Sequence, residues 1–211
     1  MLYVLRHLFS ILLLPATVLV LVPIWIARRW NVVPRWPGDA LEWLAAAAGA
    51  VLAAVGLLLL ASSVYRFASE GRGTLAPWDP PRRLVMRGPY RYVRNPMISG
   101  VLVVLVGLAL VIRSWPHAIW AAMFAGLNLL FIPLIEEPTL ERLFGEDYRA
   151  YRRRVPRFIP LVRPWSREDN VDAGGAAMDA GDGWLGRAEF MIGVIVAVLL
   201  ALAWLYSRAA T

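Results

Sequence analysis

The run Gly88-Pro-Tyr90-Arg-Tyr92-Val-Arg94-Asn95-Pro96-Met97 is followed by two apolar stretches and then by Glu136-Glu137, where the second stretch ends. A cationic turn and a carboxylate pair thus bracket an apolar hairpin. Charged groups beside hydrocarbon cost free energy unless a partner or a ligand compensates them. Arg94 presents a guanidinium fork suited to a carboxylate, and Glu136 or Glu137 accepts hydrogen bonds from an ammonium or from hydroxyls. Backbone groups next to Pro89 and Pro96 are released from helical pairing, and Tyr90, Tyr92 or Tyr148 offers a ring face. Such a set suits one bound cofactor with anionic, cationic and apolar parts. No general base stands out. An acceptor that must lose a proton would need a glutamate with a raised pKa, whereas a carboxylate nucleophile needs none.

Other chemistries lack their residues. The chain has no cysteine, which removes disulfides, thiolate metal sites and cysteine nucleophiles. His7 and His117 are its only imidazoles, too few for membrane oxygenases or zinc proteases, and each is read as an interfacial polar residue. No metal site is expected. Ser99-Gly100 resembles a fragment of an intramembrane serine protease, but no supporting histidine lies in a neighbouring span.

The elements that must hold these residues are membrane helices. Hydrophobic residues make up 59% of the 211 positions and the mean hydropathy is +0.57, well above a soluble domain. Five spans are expected, at 8–27, 41–64, 97–112, 118–135 and 190–206, giving an all-α polytopic membrane protein. The first is too long for a signal core and is taken as a retained helix. Residues 113–117 form so short a connection that the third and fourth spans must be adjacent and antiparallel. No Gly-x-x-x-Gly stripe stands out, although Gly49, Gly56, Gly100 and Gly107 permit close packing.

All 22 basic residues are arginine, and seventeen of them fall on the side that holds the N-terminus and the loops before the third and fifth spans. That side is expected to be cytoplasmic, with the C-terminus outside, most simply in an inner membrane. The net charge of +7 favours anionic headgroups rather than nucleic acid, because the arginines flank membrane spans.

The loop over 71–96, rich in proline and glycine, reads as structured and non-helical. Pro138 is expected to discourage continuation of the fourth helix, and an amphipathic interfacial segment follows, broken at Gly145. Residues 155–165 are extended and apolar enough to pack back over the helix ends. Acidic and small residues over 168–183 have the composition of a tether. The expected organisation is two N-terminal helices (1–70), a cofactor-binding core (71–165), a linker (166–187) and an accessory helix (188–211).

Taken together, Gly88-Pro-Tyr90-Arg-Tyr-Val-Arg94-Asn95-Pro96-Met97, the hairpin, Glu136-Glu137, Phe144-Gly145, Tyr148, Tyr151 and Val155-Pro-Arg-Phe-Ile-Pro160 resemble the integral-membrane methyltransferases, which include isoprenylcysteine carboxyl methyltransferases and phospholipid N-methyltransferases. The resemblance covers 71–164. It implies S-adenosyl-L-methionine bound near Gly71, Gly73, Tyr90, Arg94, Asn95, Pro96, Gly100, Glu136, Glu137 and Tyr148, with Arg94 and Glu137 carrying the reaction. It further implies a methyl acceptor that is amphipathic, either an isoprenylcysteine-type carboxylate or a phospholipid amine, entering from the bilayer. The family signature Arg-His-Pro-x-Tyr-x-Gly aligns with Arg94 to Gly100, where Asn95 replaces the histidine and Ile98 the tyrosine. Asn95 retains hydrogen-bonding groups; Ile98 does not. Two alternatives are an NADPH-dependent reductase of the sterol reductase type and a non-catalytic membrane accessory protein.

Overall fold

The computed structural model describes residues 15–33, 35–70 and 83–165. The expected fifth span, the tether, Gly71, Gly73, His7 and the start of the first span lie outside them. Within the described residues every regular element is helical. A π-helical turn at Thr17–Leu21 leads into α1 (Val22–Arg29), followed by α2 (Ala40–Glu70), α3 (Pro96–Ile112), α4 (Trp115–Phe131), a second π-helical turn (Ile132–Glu136) and α5 (Glu137–Arg154). Among the described residues two helices are long and apolar enough to cross a membrane, α2 and the run Trp115–Arg154 that joins α4 to α5, while α3 is apolar but shorter.

Helix α2 begins with reciprocal capping. Asp39 Oδ1 accepts from Glu42 N at 2.8 Å, and Glu42 Oε2 accepts from Gly38 N at 2.8 Å, so one backbone donor in the first turn and one just ahead of the helix are satisfied by side chains. Arg113, in the left-handed conformation, ends α3 and turns the chain within two residues into α4. The third and fourth spans form the antiparallel hairpin that their short connection requires.

The most intimate contact in the bundle joins α2 to α3. A Cβ on Gly107 would lie 2.6 Å from both Gly49 O and Ala53 N, and one on Gly100 would lie 2.9 Å from Leu60 N and 3.0 Å from Gly56 O. Gly49 faces Gly107, and Gly56 faces Gly100. Glycines seven residues apart on each helix therefore form an antiparallel seam along which the backbones touch. In hydrocarbon, where burying apolar side chains gives little drive for helix association, such close approach supplies the van der Waals contact that holds two spans together.

Helix α1 is fastened to α4 by polar groups. Trp120 Nε1 donates to Val18 O at 3.1 Å, and His117 is buried between Ser114 Oγ, 2.8 Å from Nδ1, and Pro23 O, 3.2 Å from Nε2. His117 is thus an interior clasp rather than the interfacial residue expected, because its ring satisfies a hydroxyl and a carbonyl at the meeting of two helices. Exposed Trp36, Trp43 and Trp115 mark this end of the bundle with aromatic anchors suited to a membrane interface.

Pro138 does not interrupt the fourth helix. The π-helical turn, closed by Glu137 N donating to Ile132 O, absorbs the strain, and Pro138 falls in the first turn of α5, where a missing N–H is tolerated. The apolar part of this long helix ends at residue 135, and α5 beyond it is amphipathic. Gly145, at φ 53° and ψ −125°, breaks α5 as expected from its sequence.

Candidate active site

The loop ahead of α3 delivers Arg94 to the start of α5. Residues Gly88–Arg91 form a 3-10 turn, with Gly88 at φ 58°. Tyr151 on α5 anchors the turn by donating to Tyr90 O at 2.6 Å. Beyond α5 the chain doubles back over the loop: Arg94 N donates to Pro156 O at 2.9 Å, Leu161 N to Tyr92 O at 2.9 Å and Trp165 N to Arg91 O at 3.0 Å. Tyr148, Tyr151, Val155 and Trp165 pack into a small apolar core beneath this crossing. The loop is therefore held by backbone and side chains from segments more than 50 residues away.

Glu137 is the ionic hub of the site. Its Oε1 lies 2.9 Å from Arg94 Nη1 and 2.8 Å from Arg157 Nε, while Arg152 Nη1 is 4.0 Å from Oε2. Arg94 Nη1 also donates to the Tyr148 hydroxyl at 3.3 Å. Glu137 is only 5% exposed, so this carboxylate is already fully engaged with cations of the protein. The positively charged residue and the carboxylate do meet, but they meet each other directly.

Groups around this pair lack partners. The Tyr90 hydroxyl and Arg94 Nε are buried with no hydrogen bond among the described residues. Glu136, one residue beyond the apolar span, makes no ion pair there either. Burial and the adjacent Glu137 carboxylate push Glu136 up to about 7, against the opposing pull of Arg94 and Arg157. Burial also raises the Tyr148 phenol, to about 12, so Tyr148 stays a neutral hydrogen-bonding group. A buried polar atom without a partner costs about 1–3 kcal/mol. Several such groups at one place form a site suited to a ligand that carries a cation, an anion and hydroxyls.

Glu136 also makes stability depend on pH. The folded protein holds its proton up to about pH 7, whereas the unfolded chain releases it near the ordinary value of 4.5, so the folded state binds more protons between those limits. The contribution of Glu136 to stability is therefore expected to fall as pH rises from about 4.5 through about 7. Melting profiles in detergent across this range should show that slope reduced in Glu136→Gln; parallel profiles for the two proteins would contradict it.

The expected residues divide into distinct positions. Tyr90, Arg94, Asn95, Glu136, Glu137 and Tyr148 are gathered where the loop, the π-helical turn and α5 converge. Asn95 is buried immediately before α3, and its backbone carbonyl accepts from Ser99 N and Ser99 Oγ, both at 3.0 Å. Pro96 opens α3 and is buried. Gly100 belongs to the seam with α2, since α2 backbone fills the place its side chain would take; its sequence position suggested the ligand, but its geometry assigns it to packing. Arg157 and Tyr151 were missed as contributors. Arg157 is one arginine among many in its loop, and no local spacing distinguishes the one that turns inward.

Comparisons with known proteins bear on this geometry. The model of the phospholipid methyltransferase family matches residues 44–147, the region from α2 to just beyond the Gly145 break in α5. That match, just under half of the chain, likens this region to the phospholipid methyltransferases. Over 94 residues the chain is 29% identical to a phosphatidylethanolamine N-methyltransferase of Zygosaccharomyces rouxii, covering 44% of this chain and 11% of that protein. It is 37% identical over 73 residues to a methanethiol S-methyltransferase of Crocosphaera subtropica, covering 35% and 28%, respectively. A protein-S-isoprenylcysteine O-methyltransferase of Schizosaccharomyces pombe is 29% identical over 79 residues, covering 37% of this chain and 34% of that protein. The chain thus spans about a third or less of the length of these curated relatives. No solved structure matches it.

Proposed function

We propose that this protein is an S-adenosyl-L-methionine-dependent methyltransferase acting on an amphipathic or lipid-like acceptor at the cytosolic face of a membrane. The observation that carries this reading is the two unsatisfied groups beside the engaged Arg94–Glu137 pair, Arg94 Nε and the Tyr90 hydroxyl, with the Glu136 carboxylate, which has no ion-pair partner among the described residues, next to them. These fit the polar ends of the cofactor. Glu136 takes the ammonium, the remaining donors of Arg94 take the carboxylate, and Asn95 and Tyr90 meet hydroxyl or heterocyclic edges. Glu137, tied to Arg94 and Arg157, fixes the guanidinium and is a positioning residue in this scheme.

S-adenosyl-L-methionine supplies a methyl group on a sulfonium, an electrophile that asks the protein chiefly for alignment and exclusion of water. Orientation alone lowers such barriers by about 7–11 kcal/mol. The crossing of 155–165 over the loop screens the site from water, and the apolar helices leave it open to a bilayer-borne acceptor. The names of the relatives span nitrogen, sulfur and oxygen acceptors, and the acceptor here is drawn from an isoprenylcysteine-type carboxylate or a phospholipid amine. The arginine distribution supports a cytosolic position for Arg94, Glu136 and Glu137.

S-adenosylhomocysteine is expected to raise the melting temperature of the purified protein, and NADPH is not. Because a bound ammonium favours ionised Glu136, its affinity should increase as pH rises through about 7, and Glu136→Gln should abolish both the stabilisation and its pH dependence. Stabilisation by NADPH alone would replace this reading with that of a reductase. No response to either, with normal cellular function of Glu136→Ala, would favour an accessory protein.

A further inference from the structure

The segment that crosses over the loop has a second, outward surface. Val155 and Trp165 at its ends are buried, whereas Ile159 is 79% and Val162 98% exposed. Between and beside them lie Pro160, Arg163 and Pro164, all exposed, and Arg154 is exposed just before the segment begins. Neither Arg154 nor Arg163 has an ion-pair partner among the described residues. Two large apolar side chains presented outward and flanked by free guanidinium groups are costly in water.

The depth of this surface follows from its attachments. Leu161 N is bonded to Tyr92 O and Arg94 N to Pro156 O, so the segment is fixed within four residues of Pro96, where α3 begins. Helix α3 has 17 residues, about 26 Å at ~1.5 Å per residue, short of a hydrocarbon core of about 30 Å. Apolar groups at its Arg94 end would make up that difference. The opposite end of the bundle has exposed tryptophans; this end has none among the described residues, and Tyr65, Tyr92, Leu134, Ile159 and Val162 are among its exposed large apolar side chains.

We propose that residues 155–165 form a lipid-docking strap, in which Ile159 and Val162 insert at the headgroup boundary of the bilayer that the helices span, while Arg154 and Arg163 contact anionic headgroups. Charge and continuity with the membrane-spanning surface both select an acidic bilayer as the occupant. The strap also carries Arg157, which holds Glu137, so its seating on lipid steadies the ionic hub. The docking requires a membrane-spanning bundle and holds whatever reaction the site performs.

The natural absence of cysteine permits a direct test. Single variants Ile159→Cys, Val162→Cys and, as an aqueous control, Arg153→Cys would be nitroxide-labelled in the full chain. They would be reconstituted into phosphatidylcholine bilayers with or without phosphatidylglycerol, with circular dichroism to verify folding. Collision with oxygen is expected to exceed collision with a nickel chelate at 159 and 162, with the reverse at 153. Phosphatidylglycerol should deepen both apolar positions, and Arg154→Gln/Arg163→Gln should remove that gain. Labels at 159 and 162 as open to the nickel chelate as the label at 153 would overturn the proposal. So would labels shielded from both reagents, which would mean that protein covers the strap.

Discussion

Glu137→Ala is expected to destabilise the apo protein by about 3–5 kcal/mol, because it removes the common acceptor of Arg94 and Arg157 and leaves the buried Arg94 guanidinium uncompensated. Glu136→Ala, one residue earlier, should leave apo stability unchanged or slightly improved, since this carboxylate is costly to ionise where it sits and has no ion-pair partner among the described residues. In the proposed scheme Glu136→Ala should nonetheless abolish stabilisation by S-adenosylhomocysteine. Denaturation of both variants in detergent, with and without the ligand, separates the roles. Equal apo destabilisation by the two substitutions would show that the carboxylates share one structural function.

Gly107→Val is expected to be as damaging from the other side of the bundle. Its Cβ would meet Gly49 O and Ala53 N at 2.6 Å, and neither obstacle is a flexible side chain that can swing away. The seam would have to open along α2 and α3, at a cost of about 3 kcal/mol or more. Gly126 on α4 provides the contrast: a Cβ there meets nothing within 4 Å, so Gly126→Ala should stabilise by about 0.5–1 kcal/mol through helix propensity alone. Melting temperatures that fall for the first variant and rise for the second would verify the seam. A tolerated Gly107→Val would mean that the two helices do not approach as closely as described.

What could be read from the sequence followed from strong local constraints. The connection at residues 113–117 dictates the antiparallel hairpin, and the placement of Arg94 and the glutamate pair at equivalent ends of that hairpin requires them to share one end of the bundle. The division of labour between the glutamates was not legible, because adjacent identical residues differ only in the direction imposed by the helix that carries them. Pro138 invited the expectation of a break because proline usually opposes helix continuation; the accommodating turn depends on a hydrogen-bond pattern that no single residue announces. Each seam glycine was visible, but the pairing of 49 with 107 and of 56 with 100 emerges only when two helices are laid side by side. His117 looked like an edge residue because its partner, a proline carbonyl, is 94 positions away.

The widened turn at Ile132–Glu136 acts as a phase adjuster. One surplus residue in a helical turn rotates everything downstream by roughly 100° about the axis, and here that rotation selects which of two neighbouring glutamates points at Arg94. Were the same residues wound as ordinary α-helix, composition, length and hydropathy would be unchanged, yet Glu136 would take the place of Glu137 before the guanidinium. The identity of the anchoring acid is therefore encoded in counting as much as in chemistry.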